Sequence, residues 1–199
     1  MNFSRSQKEL VALGRQPVDG FDAAVVRVTT SYSGLTTAIR QAARESVMDH
    51  ARPLGFRLVA VTPWDIVQTL AKNAKTNYLG RGHVTVYHDA LKQIAERNSG
   101  RAIVLWLDAA GRLRPKEQDD LRIRMEWAAE HAQVSLRLIY LVQKTAVWND
   151  AEQVWKRKWV MSERLCKAAT CMDFGAEGFN ETDTRELKED EHVLMSQAG

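Results

Sequence analysis

Cysteine, membrane-length apolar runs and paired histidines are scarce or missing in this chain, and each absence excludes a class of protein. There are two cysteines, Cys166 and Cys171, with four residues between them and no histidine close by. That is too few for a disulfide framework or a zinc site, so they read as buried or free thiols. His50, His83 and His88 are never four residues apart, which removes the helical histidine pair of a metalloprotease. No run approaches the roughly 18 apolar residues of a membrane span. The start, Met1 to Lys8, has no apolar signal core. A cytoplasmic protein without membrane contact is the expectation. What remains is ordinary for a folded domain: 199 residues, 45% apolar and 27% charged.

Charge is unevenly placed. The segment 180–199 carries six acids against Arg185 and Lys188, so it is −4, and an overall +3 leaves +7 on the rest. A basic body favours phosphate-bearing partners; it is equally a soluble surface with an acidic end. The expected organisation is an N-terminal arm over 1–20, a domain over 21–178 and an acidic flexible tail over 179–199.

Strand-like and helix-like segments alternate. Ser6 to Leu13 has a helical pattern closed by Gly14, Pro17 and Gly20. Ala23–Val28 is short, β-branched and almost continuously apolar, as a central parallel strand is. A helix from near Gly34 to before Pro53 follows, then a strand at Phe56–Val61 and a helix opened by Thr62 and Pro63. Val84 to Asn98 reads as a helix and Ala102–Leu107 as the most apolar strand, ending at Asp108. Pro115 starts a helix reaching about His131, and Val134–Val142 is a strand. Trp148, Trp155 and Trp159 lie seven and four apart, which fits one face of a long helix over about Ala146 to Lys167. A short strand closes the pattern at Thr170–Phe174. This order predicts an α/β fold: a mostly parallel sheet flanked by helices in three layers.

Two strand ends attract attention, because open parallel sheets bind ligands at the carboxyl ends of their strands. The first is the Thr29–Thr37 loop. A phosphate-binding loop reads Gly, four residues, Gly-Lys, then Ser or Thr. Gly34 and Thr36 fall in place; Thr29 stands at the first glycine and Leu35 at the lysine. Amides at a helix N-terminus attract anions, which makes Ser33, Gly34, Thr36 and Thr37 candidate phosphate-binding residues. The same stretch also reads as a plain helix start with Ser/Thr capping. The second is Asp108, placed to hold magnesium together with Thr36; it also reads as a strand-end turn residue before Ala110-Gly111.

In this order the two motifs match a P-loop NTPase. The segment Ala102–Pro115 is similar to the Walker-B segment of AAA+ ATPases, and Leu138–Gln143 looks like the sensor strand that follows it. The chain resembles, over about Ala23 to Gln143, the helper ATPases of DNA transposition of the phage Mu and TniB kind and their secretion-associated relatives. The resemblance implies a P-loop NTPase-like AAA+ core, ATP and magnesium as cofactors, Gln143 among the nucleotide contacts, and an oligomer or protein partner with DNA. The departures are Leu35 for lysine, Ala109 for the catalytic glutamate and Val142 for the glycine before Gln143. Losing a charge-assisted phosphate contact costs about 1.5–3 kcal/mol, and losing the water-orienting group lowers the rate further. The resemblance therefore implies a pseudo-ATPase, a regulatory or scaffolding subunit without efficient turnover.

Two basic clusters are candidate nucleic-acid contacts: Arg112 and Arg114 after the Asp108 strand, and Lys156, Arg157 and Lys158 between tryptophans. Interleaved acids also fit a solvated, salt-bridged helix after Arg114, and the tryptophans fit a core or partner-facing stripe. Two rivals stay open. One is an active, divergent ATPase that binds ATP and DNA and takes its cation from elsewhere, such as Lys72 or Lys75. The other is a non-nucleotide α/β interaction module with no cofactor, which expects the Ala23–Val28 strand not to lie beside the Ala102–Leu107 strand.

Overall fold

Six strands make one mostly parallel sheet, in a computed structural model that describes residues 5–29, 37–63, 66, 68, 69, 83–97 and 102–175. The elements in chain order are α1 (Arg5–Arg15), β1 (Phe21–Thr29), α2 (Thr37–Ala51), β2 (Arg57–Val61), α3 (His83–Arg97), β3 (Ile103–Leu107), α4 (Pro115–Ala132), β4 (Leu136–Asn149), β5 (Val154–Trp159), α5 (Glu163–Ala168) and β6 (Thr170–Gly175). The sheet order is β2-β3-β4-β1-β6, parallel throughout, with β5 paired antiparallel to β4 off that path.

The central strands have no polar face because helices cover both sides. Ile103 to Leu107 are all 0% exposed, which is why this stretch reads as a continuous apolar run. On one side α1 and α2 pack on Val26, Val104, Trp106 and Ile139. On the other, α3, α4 and α5 pack on Val59, Leu105, Leu138 and Tyr140. Ile39, Ala43, Val47 and Ala51 repeat every four residues along α2 and form its buried stripe. The segment read as an N-terminal arm contains α1, whose Leu10 and Leu13 are buried beneath it against the same cluster. Gly14 lets α1 cross α2 closely: a Cβ there would lie 2.3 Å from the Val47 carbonyl oxygen.

The long helix expected over about Ala146 to Lys167 is not formed. β4 runs on to Asn149, turns, and returns as β5; a single short helix, α5, follows. The tryptophan spacing that suggested a helix face is a hairpin register instead. Trp148 pairs with Trp155 and Lys144 with Trp159. Val147, Trp148, Val154, Trp155 and Trp159 are β-branched or aromatic, and those residue types favour a pleated ladder. Gln153, at φ 53°, takes the left-handed turn position that closes the hairpin. Thr62 and Pro63 precede helix-like Ile66, Gln68 and Thr69, but Trp64, Asp65 and 70–82 lie outside the described residues.

β1 and β3 are not neighbours. β4 lies between them, paired to β1 from Leu136 through Gln143 and to β3 from Leu136 through Tyr140. Beyond that, Lys144 to Asn149 pair with β5 alone, so the hairpin projects past the carboxyl edge of the sheet.

Candidate functional site

The parallel strands end together at that carboxyl edge. The helix that follows β1, α2, packs on one face of the sheet, whereas α4 and α5, which follow β3 and the β4–β5 hairpin, pack on the other. Neighbouring connections that depart to opposite faces leave a topological switch point, where open α/β sheets hold ligands. Asp108 stands at its margin, just past β3, with its backbone N–H donating to the Val61 carbonyl at 2.9 Å.

The surroundings of Asp108 are specific. Residues 106 and 108 lie two apart on an extended chain and so face the same side. The buried Trp106 indole N–H donates to Asp108 Oδ1 at 2.9 Å. Arg44, reaching from the middle of α2, brings Nη1 to 3.8 Å from Asp108 Oδ2. The Asp108 side chain is 14% exposed, so the pair is only weakly screened by water. Both carboxylate oxygens are thus engaged by protein donors. Among the described residues no group of three His, Cys, Asp or Glu side chains comes together that could hold a metal. A guanidinium beside the Asp108 carboxylate competes with a cation for it, and Thr36, the other magnesium ligand expected, lies outside the described residues.

The other residues expected at this site divide into three groups. Thr37 is the first residue of α2. Gln143 pairs in register with Val28 and is half-buried at the end of the shared β1–β4 ladder. Ser33, Gly34 and Thr36 lie outside the described residues, as do Lys72 and Lys75. Arg44 and Trp106 went unnoticed in the sequence. Trp106 was legible by strand alternation with Asp108; Arg44 had no local signal, because α2 meets β3 only in the fold.

Ala109, directly after Asp108, has φ 55° and ψ 38°. The left-handed region costs a residue with a Cβ roughly 1–2 kcal/mol. Ala109→Gly is therefore expected to stabilise the fold by about 0.5–1 kcal/mol, after glycine's own entropy loss. A rise in the urea midpoint at constant m-value checks it; a fall would show that this turn is not strained.

A second constellation lies behind the same edge. Gln118 is 0% exposed on the buried stripe of α4. Its side-chain amide donates to the carbonyls of Ala110 (3.2 Å), Leu113 (3.1 Å) and Val160 (2.9 Å), and its Oε1 accepts from the Ser162 N–H at 3.0 Å. Tyr140, whose phenol burial pushes far above its ordinary pKa, donates to the Gln118 carbonyl at 3.1 Å. One side chain thus ties the turn after Asp108 to the base of the β4–β5 hairpin. The turn that carries one basic cluster is thereby tied to the segment that follows the strand carrying the other. Arg112 and Arg114 are exposed on the turn, with the Arg114 guanidinium 3.7 Å from Glu117, and Lys156, Arg157 and Lys158 are on β5.

Cys166 is half-buried and Cys171 exposed, and both are free thiols. No helix among the described residues is long and apolar enough to cross a membrane. No protein-family model matches the chain, and no curated protein does.

Proposed function

We propose that this chain is a degenerate AAA+-like subunit that regulates or scaffolds a DNA-associated oligomeric assembly of the transposition type and does not turn over ATP. The observation that carries the proposal is the state of Asp108. Its carboxylate is held by Arg44 and Trp106 rather than left open to a cation. A protein-supplied positive charge takes the position where a hydrolysing site needs a metal, and the sequence lacks the phosphate-binding lysine and the catalytic glutamate at the matching positions, Leu35 and Ala109.

Titration calorimetry with ATP and magnesium, paired with a phosphate-release assay, tests this. The expected outcome is no magnesium-dependent binding and no turnover. Saturable binding weakened by both Asp108→Ala and Thr36→Ala, with hydrolysis lost in Asp108→Ala, would refute it and support the active, divergent ATPase.

A second reading has its own observation. β4 separates β1 from β3, as expected for an α/β interaction module in which both motifs are coincidence. Against it, two strand spacings are only about 10 Å, and Arg44 of the helix after β1 already reaches Asp108 across them. Absence of both nucleotide and DNA binding would favour the module.

A further inference from the structure

We infer that the β4–β5 hairpin and the turn carrying Arg112 and Arg114 form one surface for double-stranded DNA; this rests on the DNA-associated reading above and names the face that would carry it. Four observations support the inference. First, the hairpin is a two-stranded ribbon that extends beyond the sheet. It holds Lys144, Lys156, Arg157 and Lys158, against Asp150 and Glu152 near its tip. Second, the acids are confined to the tip, where Glu152 pairs with Lys156. Lys144 and Lys158 are exposed, and neither has a carboxylate partner among the described residues. The Lys144 ammonium sits 5.6 Å from the centre of the Trp159 ring, a contact that holds it in place without neutralising it. Third, register places cations on both faces. The pairs Lys144–Trp159 and Ala146–Arg157 alternate with Thr145–Lys158 and Val147–Lys156. Fourth, Gln118 fastens the ribbon base at Val160 and Ser162 to the carbonyls of Ala110 and Leu113, so the turn that carries Arg112 and Arg114 is tied to that base.

These features match duplex geometry. A ribbon with its side chains is about 10 Å thick, and the major groove is about 12 Å wide, with a phosphate wall on each side. Cations on both faces meet both walls, and the arginines of the turn extend the contact along the backbone. Edge lysines also deter strand pairing between copies, but that role does not call for the exposed arginines of the turn.

Fluorescence anisotropy of the full chain with a labelled duplex of about two helical turns, over about 50–200 mM salt, tests the inference. Lys144→Gln/Lys158→Gln and Arg112→Gln/Arg114→Gln should each weaken binding about tenfold and lower the salt slope by about 1.8, since each phosphate contact contributes about 0.9. Lys8→Gln/Arg15→Gln, beside His50 and away from this edge, should leave both unchanged. Urea midpoints confirm that the variants stay folded. If wild type binds and the first two variants behave like the control, the surface is wrong and the DNA reading survives. A preference for the single strand over the duplex overturns the duplex assignment. If wild type binds neither, the DNA reading falls as well.

Discussion

Arg137→Ala is expected to destabilise the domain by about 3–5 kcal/mol, the usual cost of removing one partner of a buried ion pair. Arg137 sits in β4 with its side chain 1% exposed. Its Nε donates to Asp22 Oδ2 at 2.8 Å, and Nη1 donates to the Leu13 carbonyl. Its guanidinium lies 5.7 Å from the centre of the Phe56 ring. One side chain therefore joins the end of α1, the start of β1, the approach to β2 and the central strand. Truncation leaves the Asp22 carboxylate, 32% exposed, without its cation and the Leu13 carbonyl without its donor. Urea unfolding at constant m-value reads the effect. Arg137→Met with Asp22→Asn removes both charges and should recover part of the loss, because the penalty lies in the orphaned charge more than in the missing attraction. A loss under about 1 kcal/mol would mean that α1 is not held by this pair.

Gln118→Leu is expected to cost a similar amount, about 3–5 kcal/mol, for a different reason. Leucine matches the volume and suits the apolar stripe of α4, so no cavity term enters. The loss is purely polar. The carbonyls of Leu113 and Val160 and the N–H of Ser162 lose the Gln118 side chain together, while the Ala110 carbonyl keeps the Leu113 N–H at 3.1 Å. Each buried unsatisfied group costs about 1–3 kcal/mol, and those nearest the surface regain water. Hydrogen exchange should quicken around Ala110–Leu113 and at the ribbon base while the α1–α2 side stays protected. A uniform loss of protection would show that Gln118 supports the whole core rather than this junction.

Helix and strand identity was legible wherever local pattern and tertiary environment agree. Pro115 at the first turn of α4, the four-residue repeat of α2 and the apolar run of β3 each state their element directly. Trp148, Trp155 and Trp159 did not, because spacings of seven and four satisfy a helix face, while only the turn at Gln153 reveals that Trp148 and Trp155 are on opposing strands. For the candidate site, Asp108 was legible as a polar residue ending an apolar strand. Arg44 was not, since its distance from Asp108 in sequence carries no record of α2 lying over β3. Gln118 reads as one more polar residue in a charged helix start until its four partners are assembled around it.

Local pattern alone dictates the alternation of strands and helices, hence the α/β class with a parallel sheet, because hydrophobic period and turn chemistry act over a few residues. Leu35 and Ala109, where the motifs that the chain resembles carry lysine and glutamate, are likewise read from the sequence. The order β2-β3-β4-β1-β6, the contact of Arg44 with Asp108, and the tie that Gln118 makes between the turn after β3 and the base of the β4–β5 hairpin emerge only in the fold. Those depend on which elements come to lie side by side, and that choice is settled by burying apolar faces and satisfying buried polar groups across the whole chain at once.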